Sequence, residues 1–182
     1  MLSGPPISVR ATAEISIGVS LAVFLGLVTK LVQLPYGGSI NLSTLPILIL
    51  AMRHGVKLGG LAGGLYGIVA FILNPYVFHP IQVLIDYPLA FALLGTAGVT
   101  WRLGEGEQHR VGLRLRVVMG ILLGNSLRLA AHFLSGWVFF AEYAPEGQPV
   151  WMYSLSYNAS YVIPETIACI FLAQFILRFV QK

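Results

Sequence analysis

The sequence predicts an all-α integral membrane protein, a compact bundle of six transmembrane helices in one domain that covers residues 1–182. Of the 182 residues, 57% are hydrophobic and only 10% are charged, whereas a typical soluble domain has about 25% charged residues. The mean hydropathy is +0.80 over the whole chain. Because a globule of this size leaves much of its surface exposed, most of that surface must face lipid.

Six apolar segments, taken in chain order, account for the six helices. A helix that crosses a bilayer needs about 20 mostly apolar residues. Five segments come near to that length or exceed it: residues 7–34, 58–73, 80–102, 111–140 and 152–179. The first is too long for a signal peptide and lacks a small-residue cleavage site, so we expect it to remain as a helix. The shorter run at residues 42–52 is expected to be a short or broken helix that neighbouring helices support.

The basic residues predict how the chain is oriented. They lie at the two ends of the chain or in alternate loops: Arg10, Arg53, Lys57, Arg102, Arg110, Arg114, Arg116, Arg178 and Lys182. The other three loops, residues 36–41, 74–79 and 142–150, contain no Lys or Arg. By the positive-inside rule, both termini are cytoplasmic and these three loops face outward. Two cytoplasmic termini require an even number of spans, which supports the short second helix. The net charge of +4 is therefore a signature of membrane topology and does not indicate a nucleic-acid partner.

Small residues recur at helical spacing in two of the segments. The third segment has glycines at every fourth position, Gly59, Gly63 and Gly67. The cytoplasmic half of the first segment has small polar residues at the same spacing, Thr12, Ser16 and Ser20. Such ridges let helix backbones approach closely in lipid. The ridge in the first segment has two interpretations, packing within this chain or contact with a partner helix.

Several ionisable side chains lie in apolar surroundings, where each is a functional hypothesis because charge is unfavourable in a membrane. They are Glu14, Asp86, Arg128, His132 and Glu165. Glu14 is near the cytoplasmic boundary and is expected to reach water, and Lys30, near the outer end of the first helix, is expected to extend to the headgroups. Arg128 is expected to form a buried ion pair, and the sequence leaves open whether its partner is Glu165 or Asp86. The single cysteine, Cys169, is interpreted as core filler.

Three of the helices each carry one polar stripe, as the spacing of three or four residues indicates. The fifth segment carries Asn125, Arg128, His132 and Gly136; the fourth carries Gln82 and Asp86; the sixth carries Ser154, Tyr157, Asn158, Tyr161 and Glu165. Pro88 predicts a local kink in the fourth segment. Most of these residues lie toward the outer ends, which predicts a pocket in the outer half of the bundle beneath the uncharged loops.

The polar residues also have ordinary structural interpretations. A histidine such as His132 commonly forms a hydrogen bond with a neighbouring helix, and Tyr153 and Tyr157 are placed like members of an aromatic belt. The combination of a carboxylate, a histidine, an amide and several aromatic rings at one depth nevertheless favours a binding site. Aromatic faces together with a carboxylate suit an organic cation.

Several segments of the chain resemble the thiamin-specific substrate-binding subunit (S-component) of the energy-coupling-factor (ECF) vitamin transporters. They are PYGGSI at 35–40, LPI at 45–47, HPIQ at 79–82, DYPLAF at 86–91, HFLSG at 132–136, FFAEYAPEG at 139–147 and YSLSYN at 153–158. The resemblance covers nearly the whole chain, and the segments from HFLSG to YSLSYN are its most specific part. It implies a multi-pass protein of the bacterial plasma membrane, with six helices and an outward-facing thiamin pocket that the first loop partly closes.

The resemblance also implies roles for individual residues. Asp86 takes the position of the acidic residue that meets the cationic thiazolium ring, where some members of the family have Glu. The other positions that it assigns to the ligand are His132, Tyr153, Asn158, Gly136 (as room beside the ligand), Tyr76, Tyr87, Tyr157 and Phe140. Phe140 stands where other members have a stacking Trp. The first loop has Gly37 and Gly38 where a lid aromatic occurs, so Tyr36, Trp137 or Trp151 is an alternative stacking partner.

The chain contains no G-x-x-x-x-G-K-[ST] motif, so it is not expected to hydrolyse ATP. The resemblance implies a transmembrane coupling protein and two cytoplasmic ATPases as partners, docked through the ridge of Thr12, Ser16 and Ser20. Thiamin is then the ligand, and no cofactor or metal is expected. Three alternatives remain: a subunit for another vitamin or a thiamin precursor, a self-sufficient proton-coupled transporter, and an intramembrane enzyme. The enzyme is the weakest, because the sequence has no nucleophile motif and no metal motif such as H-E-x-x-H.

Overall fold

The computed structural model describes residues 8–29, 32–35, 38–102 and 110–180. Lys30, Tyr36, Gly37 and Lys182, which the sequence analysis singled out, lie outside the described residues. In the described part, six helices follow one another: α1 Val9–Val28, α2 Thr44–His54, α3 Val56–Leu73, α4 from Pro80 to Arg102, α5 Arg110–Phe139 and α6 Val150–Val180. Five of them are long and apolar enough to cross a membrane, and α2 is the shorter apolar helix. The predicted all-α membrane bundle is therefore confirmed.

Helix α1 is shorter than the sequence predicted, because it ends at Val28 and not at residue 34. Its last turn is closed by the Thr29 hydroxyl, which donates to the Leu25 carbonyl at 2.6 Å and accepts from the Leu42 backbone N–H at 3.0 Å. Beyond this point the chain forms a short antiparallel pair, β1 Val32–Gln33 and β2 Ser39–Ile40. The prediction was wrong here because Val32 and Leu34, in and after β1, extend the apolar run of the helix, although they are not helical.

Helix α2 is a short element that the surrounding protein supports, as predicted. Its 11 residues span about 16 Å at 1.5 Å per residue, roughly half of the hydrocarbon core. Eight of the 11 residues are buried. The preceding polar residues Asn41 and Ser43 are buried as well, as non-helical backbone at membrane depth requires. Gly55, with φ of 84°, joins α2 directly to α3.

The glycines of α3 form the predicted close-packing ridge; Gly63 and Gly67 pack against α4, and Gly59 packs against Ala51 of α2 as well as against α4. A Cβ atom at Gly63 would overlap the backbone carbonyl of Phe91, and one at Gly67 would overlap that of Tyr87. From the other side, a Cβ atom at Gly95 would overlap the backbone of Gly60. Backbone therefore packs on backbone along this interface, which is the arrangement expected of small-residue ridges in membranes.

Helix α4 changes its winding several times along its length. Its segments are α-helical at Pro80–Leu84, π-helical at Ile85–Leu89, α-helical at Ala90–Ala92, 3-10 at Leu93–Ala97 and α-helical at Gly98–Arg102. The π segment contains Pro88, which cannot donate a backbone hydrogen bond and so favours a break in the regular ladder. The kink predicted at Pro88 is thus a π-helical turn, and Asp86 lies within it.

Helices α5 and α6 are the longest, and they pack against each other. The loop between them contains a short 3-10 turn at Ala141–Tyr143 and a positive φ of 81° at Gly147. Fully buried apolar residues from α2, α4, α5 and α6 meet in the core, among them Leu48, Leu94, Ile121 and Cys169. Cys169 is thus a core residue, as predicted.

Candidate functional site

A cavity of about 180 Å³ lies at the end of the bundle where the three loops without Lys or Arg meet. Residues of α1, α3, α4, α5 and α6 form its walls, and Gly38, Tyr76 and Tyr143 contribute from the three loops. All of the residues that the sequence analysis assigned to a ligand line this cavity: Tyr76, Asp86, Tyr87, His132, Gly136, Phe140, Tyr153, Tyr157 and Asn158. Their contact with a ligand stays a prediction.

The carboxylate of Asp86 is held by three side chains. Oδ2 accepts from Gln82 Nε2 at 2.8 Å and from Ser135 Oγ at 2.9 Å, and Oδ1 lies 3.1 Å from His132 Nδ1. The side chain of Asp86 is only 15% exposed. The geometry fixes the direction of the carboxylate before any ligand arrives, which lowers the cost of organising the site on binding.

Ser135 is a residue that the sequence analysis missed. It lies in the HFLSG segment between two residues that were singled out, three positions after His132 on the same face of α5. Serines are common in membrane helices as hydrogen-bond donors to their own backbone, so its position did not by itself indicate a carboxylate partner. The helical spacing from His132 was the available signal.

His132 links Asp86 to the aromatic part of the cavity. Its Nδ1 faces Asp86, while its Nε2 is buried and has no hydrogen-bond partner within the part of the chain that the structure describes. The imidazole ring meets Phe91 and Tyr161 edge-on, with centroid distances of 6.4 Å and 6.1 Å. With Nδ1–H donating to Asp86, Nε2 is a buried acceptor on the other side of the ring.

Asn158 and Gly136 close the interface between α5 and α6 beside the cavity. Asn158 Nδ2 donates to the carbonyls of Ser154 at 2.9 Å and His132 at 3.2 Å, and its Oδ1 accepts from the Tyr161 hydroxyl at 2.6 Å. A Cβ atom at Gly136 would overlap the Ser154 hydroxyl. Gly136 therefore makes room for a neighbouring side chain as well as lining the cavity, and Asn158 has a structural role whether or not it also meets a ligand.

Arg128 forms the predicted buried ion pair, and its partner, which the sequence left open, is Glu165. Arg128 NH1 lies 2.9 Å from Glu165 Oε2, and the two side chains are 5% and 0% exposed. The other oxygen, Oε1, accepts from the Thr44 hydroxyl at 2.8 Å. The guanidinium carbon also lies 4.8 Å from the centroid of the Phe91 ring, within the range of a cation–π contact. The carboxylate of Asp86 is thereby left to His132, Gln82 and Ser135.

Aromatic side chains from the two later loops form one rim of the cavity. Tyr76 donates its hydroxyl to that of Tyr143 at 3.1 Å, and the Phe140 ring lies 5.9 Å from each of these two rings. Tyr87 holds the same loop, since its hydroxyl accepts from the Tyr76 N–H and donates to the Asn74 carbonyl, both at 3.0 Å. Phe140 is thus placed among flat rings at the cavity mouth.

A row of tyrosines on α6 forms the opposite rim. The rings of Tyr153, Tyr157 and Tyr161 follow one another at centroid distances of 6.0 Å and 5.9 Å. The Tyr157 hydroxyl donates to the Pro35 carbonyl and accepts from the Gly38 N–H at 3.0 Å. Tyr157 therefore fastens the first loop to α6, in addition to lining the cavity.

The two tryptophans proposed as alternative stacking partners lie elsewhere. Trp137 is 49% exposed and Trp151 is 46% exposed on the outer surface of the bundle, and neither lines the cavity. That expectation was wrong. Trp137 is five residues after His132, so the helix period turns it away from the face that carries His132, and Trp151 lies in the first turn of α6. The third alternative, Tyr36, lies outside the described residues.

The small-residue ridge on α1 faces outward. Thr12, Ser16 and Ser20 are all exposed, and the hydroxyls of Thr12 and Ser16 donate to the carbonyls of Ser8 and Thr12 on their own helix. Within the part of the chain that the structure describes, no other helix covers this ridge. Contact with a partner stays a prediction.

At the same end of the bundle, Glu14 is part of a cluster of charges. It accepts from Arg53 Nε at 2.6 Å and Arg10 Nε at 3.0 Å, and its Oε2 lies 2.8 Å from His54 Nε2. The Glu14 side chain is 25% exposed, which agrees with the expectation that it reaches water. Its contacts with Arg53 and His54 also tie α1 to the end of α2. Among the described residues, no group of three or more His, Cys, Asp or Glu side chains is placed to hold a metal ion.

Comparison with known proteins gives consistent matches. The family model described as thiamine transporter protein (Thia_YuaJ) matches residues 12–182. The chain is 40% identical over 161 residues to the thiamine transporter ThiT of Bacillus subtilis (strain 168), which covers 86% of this chain and 84% of the relative. It is 33% identical over 138 residues to the thiamine transporter ThiT of Lacticaseibacillus paracasei, which covers 72% and 69%. A solved structure of ThiT from Listeria monocytogenes superposes with a TM-score of 0.83 over 93% of this chain and 94% of that chain; at 22% identity this likeness shows a shared fold.

Proposed function

This chain belongs to the thiamine transporter protein family, and from that premise we propose that it is the thiamin-binding subunit of an ECF-type importer. In this proposal it captures thiamin from the extracellular side and delivers it inward together with a coupling protein and two ATPases. The observation that carries the proposal is the cavity, in which a pre-oriented carboxylate is surrounded by aromatic rings.

The chemistry of the cavity matches the two halves of thiamin. The thiazolium ring is a permanent cation, for which the Asp86 carboxylate is a suitable partner in a partly dehydrated site. The aminopyrimidine ring is flat and aromatic, and Phe140, Tyr76 and Tyr153 offer aromatic surfaces for it. His132, which lines the cavity and faces Asp86 through Nδ1, adds an imidazole ring beside the carboxylate.

The need for partners follows from the energetics of uphill import. The chain has no nucleotide-binding motif, so the energy must come from another protein. The exposed ridge of Thr12, Ser16 and Ser20 on α1 offers a surface that a helix of a coupling protein can approach closely. Binding of thiamin beneath the outer loops, followed by reorientation within the complex, would then open the cavity inward.

The experiment that tests the binding role is calorimetric titration of thiamin into the purified, detergent-solubilised chain, with riboflavin and biotin as controls. Calorimetry is preferable to tryptophan fluorescence, because neither Trp137 nor Trp151 lines the cavity. Saturable binding of thiamin alone at submicromolar concentration is expected. Absence of binding would refute the proposal, and tighter binding of a thiamin precursor or another vitamin would reassign the substrate.

The dependence on partners is tested separately in proteoliposomes. Vesicles that contain only this chain are expected not to accumulate thiamin, and addition of the coupling protein and ATPases with internal ATP is expected to restore uptake. Accumulation by the chain alone under a proton gradient would contradict the importer proposal and favour a proton-coupled transporter.

A further inference from the structure

The buried ion pair of Arg128 and Glu165 has no role in the binding scheme above, yet it adjoins the cavity. Arg128 lines the cavity together with Asp86 and His132, whereas Glu165 does not line it. Arg128 and His132 are four residues apart and so lie one turn apart on the same face of α5. The Phe91 ring lies between the two: the guanidinium carbon is 4.8 Å from its centroid, and the His132 ring, whose Nδ1 is 3.1 Å from Asp86, is 6.4 Å from it.

The net formal charge of the side chains in and beside the cavity depends on Glu165. Among the described residues, the ionisable groups that line the cavity or contact its lining at this depth are Asp86, Arg128, Glu165 and His132, apart from the tyrosines. With His132 neutral, one cation and two carboxylates give a net charge of −1. Without Glu165 the sum is zero, because Arg128 then balances Asp86 and no charge is left for a cationic ligand.

We propose that Glu165 is a specificity-determining residue that acts through Arg128. It neutralises and holds the guanidinium, so that the negative charge of Asp86 is available to a monocation. This inference rests on the proposed function, since it concerns the preference of the thiamin cavity for a charged ligand over an uncharged one of the same shape.

The contacts around the pair show how the guanidinium is kept from Asp86. Glu165 is 0% exposed and is anchored from α2 by the Thr44 hydroxyl at 2.8 Å. Arg128 NH1 is 2.9 Å from the other carboxylate oxygen, and the guanidinium also lies over the Phe91 ring at 4.8 Å. Two independent contacts thus hold the guanidinium on Glu165 and on the Phe91 ring, and the Asp86 carboxylate is left to its own three donors.

The substitution that tests the inference is Glu165→Gln, which removes the charge and keeps the shape. The amide can still accept from Arg128 while it donates to Thr44, whose hydroxyl also lies 3.5 Å from Cys169 Sγ. The affinity for thiamin should fall, while the affinity for a neutral isostere with an uncharged ring in place of the thiazolium should change little. The ratio of the two dissociation constants should shift by about 10-fold to 100-fold, as expected of a unit charge about 6–12 Å from the ligand at an effective dielectric of about 20.

Two further variants separate charge from structure. In Arg128→Met/Glu165→Met both charges are lost, so the net charge stays at −1. The ratio of the dissociation constants should then remain within about 3-fold of that of the unsubstituted chain. The double variant is expected to fold, because buried ion pairs are commonly tolerant of replacement by two apolar residues. Thr44→Val removes the neutral hydrogen bond to the same carboxylate and should lower thermal stability without changing the ratio. All dissociation constants are measured by calorimetry on the detergent-solubilised chain, and the unfolding temperature of each variant is recorded.

A shift of the ratio in Glu165→Gln that the double variant abolishes would support the inference. An unchanged ratio in a folded Glu165→Gln protein, or a loss of preference in the double variant equal to that in the single one, would overturn it while thiamin binding by the unsubstituted chain stands. If Glu165→Gln does not fold, the double variant still tests the inference, because a collapsed ratio in it would refute the inference. Failure of the unsubstituted chain to bind thiamin would overturn the proposed function and this inference with it.

Discussion

Replacing Asp86 by asparagine removes a full negative charge from the cavity wall and changes the size of the side chain very little. The carboxylate accepts from Gln82 and Ser135 through Oδ2 and faces His132 through Oδ1. An asparagine can keep its oxygen toward Gln82 and Ser135, and its amide then donates to His132 Nδ1. The fold of the π segment should therefore survive, but the proton of His132 must move to Nε2.

The expected loss of affinity follows from the burial of the carboxylate. The side chain of Asp86 is 15% exposed, so the cation that meets it is largely removed from water. Two unit charges about 4 Å apart interact by about 4 kcal/mol at an effective dielectric of about 20. Part of this is offset by the desolvation of the pair, which leaves a net loss of about 1–3 kcal/mol. The dissociation constant of thiamin should rise about 5-fold to 150-fold.

The assay is calorimetric titration of thiamin into Asp86→Asn, with Ser135→Ala as the matched control. Ser135→Ala removes one hydrogen bond to the same carboxylate and keeps its charge, so the affinity for thiamin should fall less than in Asp86→Asn. Undiminished thiamin affinity in a folded Asp86→Asn protein would refute the assignment of Asp86 as the partner of the cation. An equal loss in both variants would show that orientation of the carboxylate matters and its charge does not.

Three further predictions concern other parts of the chain. Gly63→Ala places a Cβ atom on the backbone of α4 and should destabilise the chain by about 1–3 kcal/mol, measured as a lower unfolding temperature, whereas Gly64→Ala, with its nearest contact at 3.8 Å, should not. Tyr157→Phe removes the hydroxyl that accepts from the Gly38 N–H and should speed amide hydrogen exchange at Gly38 by up to about 10-fold, the equivalent of one hydrogen bond. Ser16→Leu on the exposed ridge of α1 should leave thiamin binding unchanged and lower uptake in the reconstituted importer, because the larger side chain prevents close helix contact.

Each of these predictions has a matched control on the same element. Tyr153→Phe alters the neighbouring tyrosine and should leave exchange at Gly38 unchanged. Leu21→Phe enlarges an exposed side chain of α1 that is turned away from Thr12 and Ser16, and it should leave uptake unchanged. Equal effects of Gly63→Ala and Gly64→Ala on stability would contradict the close backbone packing of α3 on α4.

The number and order of the helices could be predicted from the sequence, because lipid imposes a length and a composition on any segment that crosses it. The same reasoning failed at the end of α1. Val32 and Leu34 are as apolar as the helix before them, but they belong to the β1–β2 hairpin. Hydropathy indicates that a residue prefers an apolar environment. It does not distinguish a helix from a short strand that follows the helix in the same apolar run.

The residues that line the cavity could also be predicted from the sequence, whereas the ion-pair partner of Arg128 could not. The polar stripes brought Asp86, His132 and Asn158 to one place because the helical period fixes which residues share a face. Whether Arg128 turns to Asp86 or to Glu165 depends on the rotation of one helix against another, which the sequence does not specify. Thr44, which holds Glu165, comes from the short helix α2, and nothing in its local sequence indicates that contact.

The glycine ridge of α3 has a mechanical consequence for any motion that admits or releases a ligand. Side chains that interdigitate can change rotamer and let two helices slide, but an interface in which backbone touches backbone has no such adjustable parts. Helices α3 and α4 should therefore move as one rigid body, and Asp86, which lies on α4, moves with them. Spin labels on α3 and α4 should report one fixed separation with and without ligand, and any displacement should occur between this pair and the side of the cavity that α1 and the first loop provide.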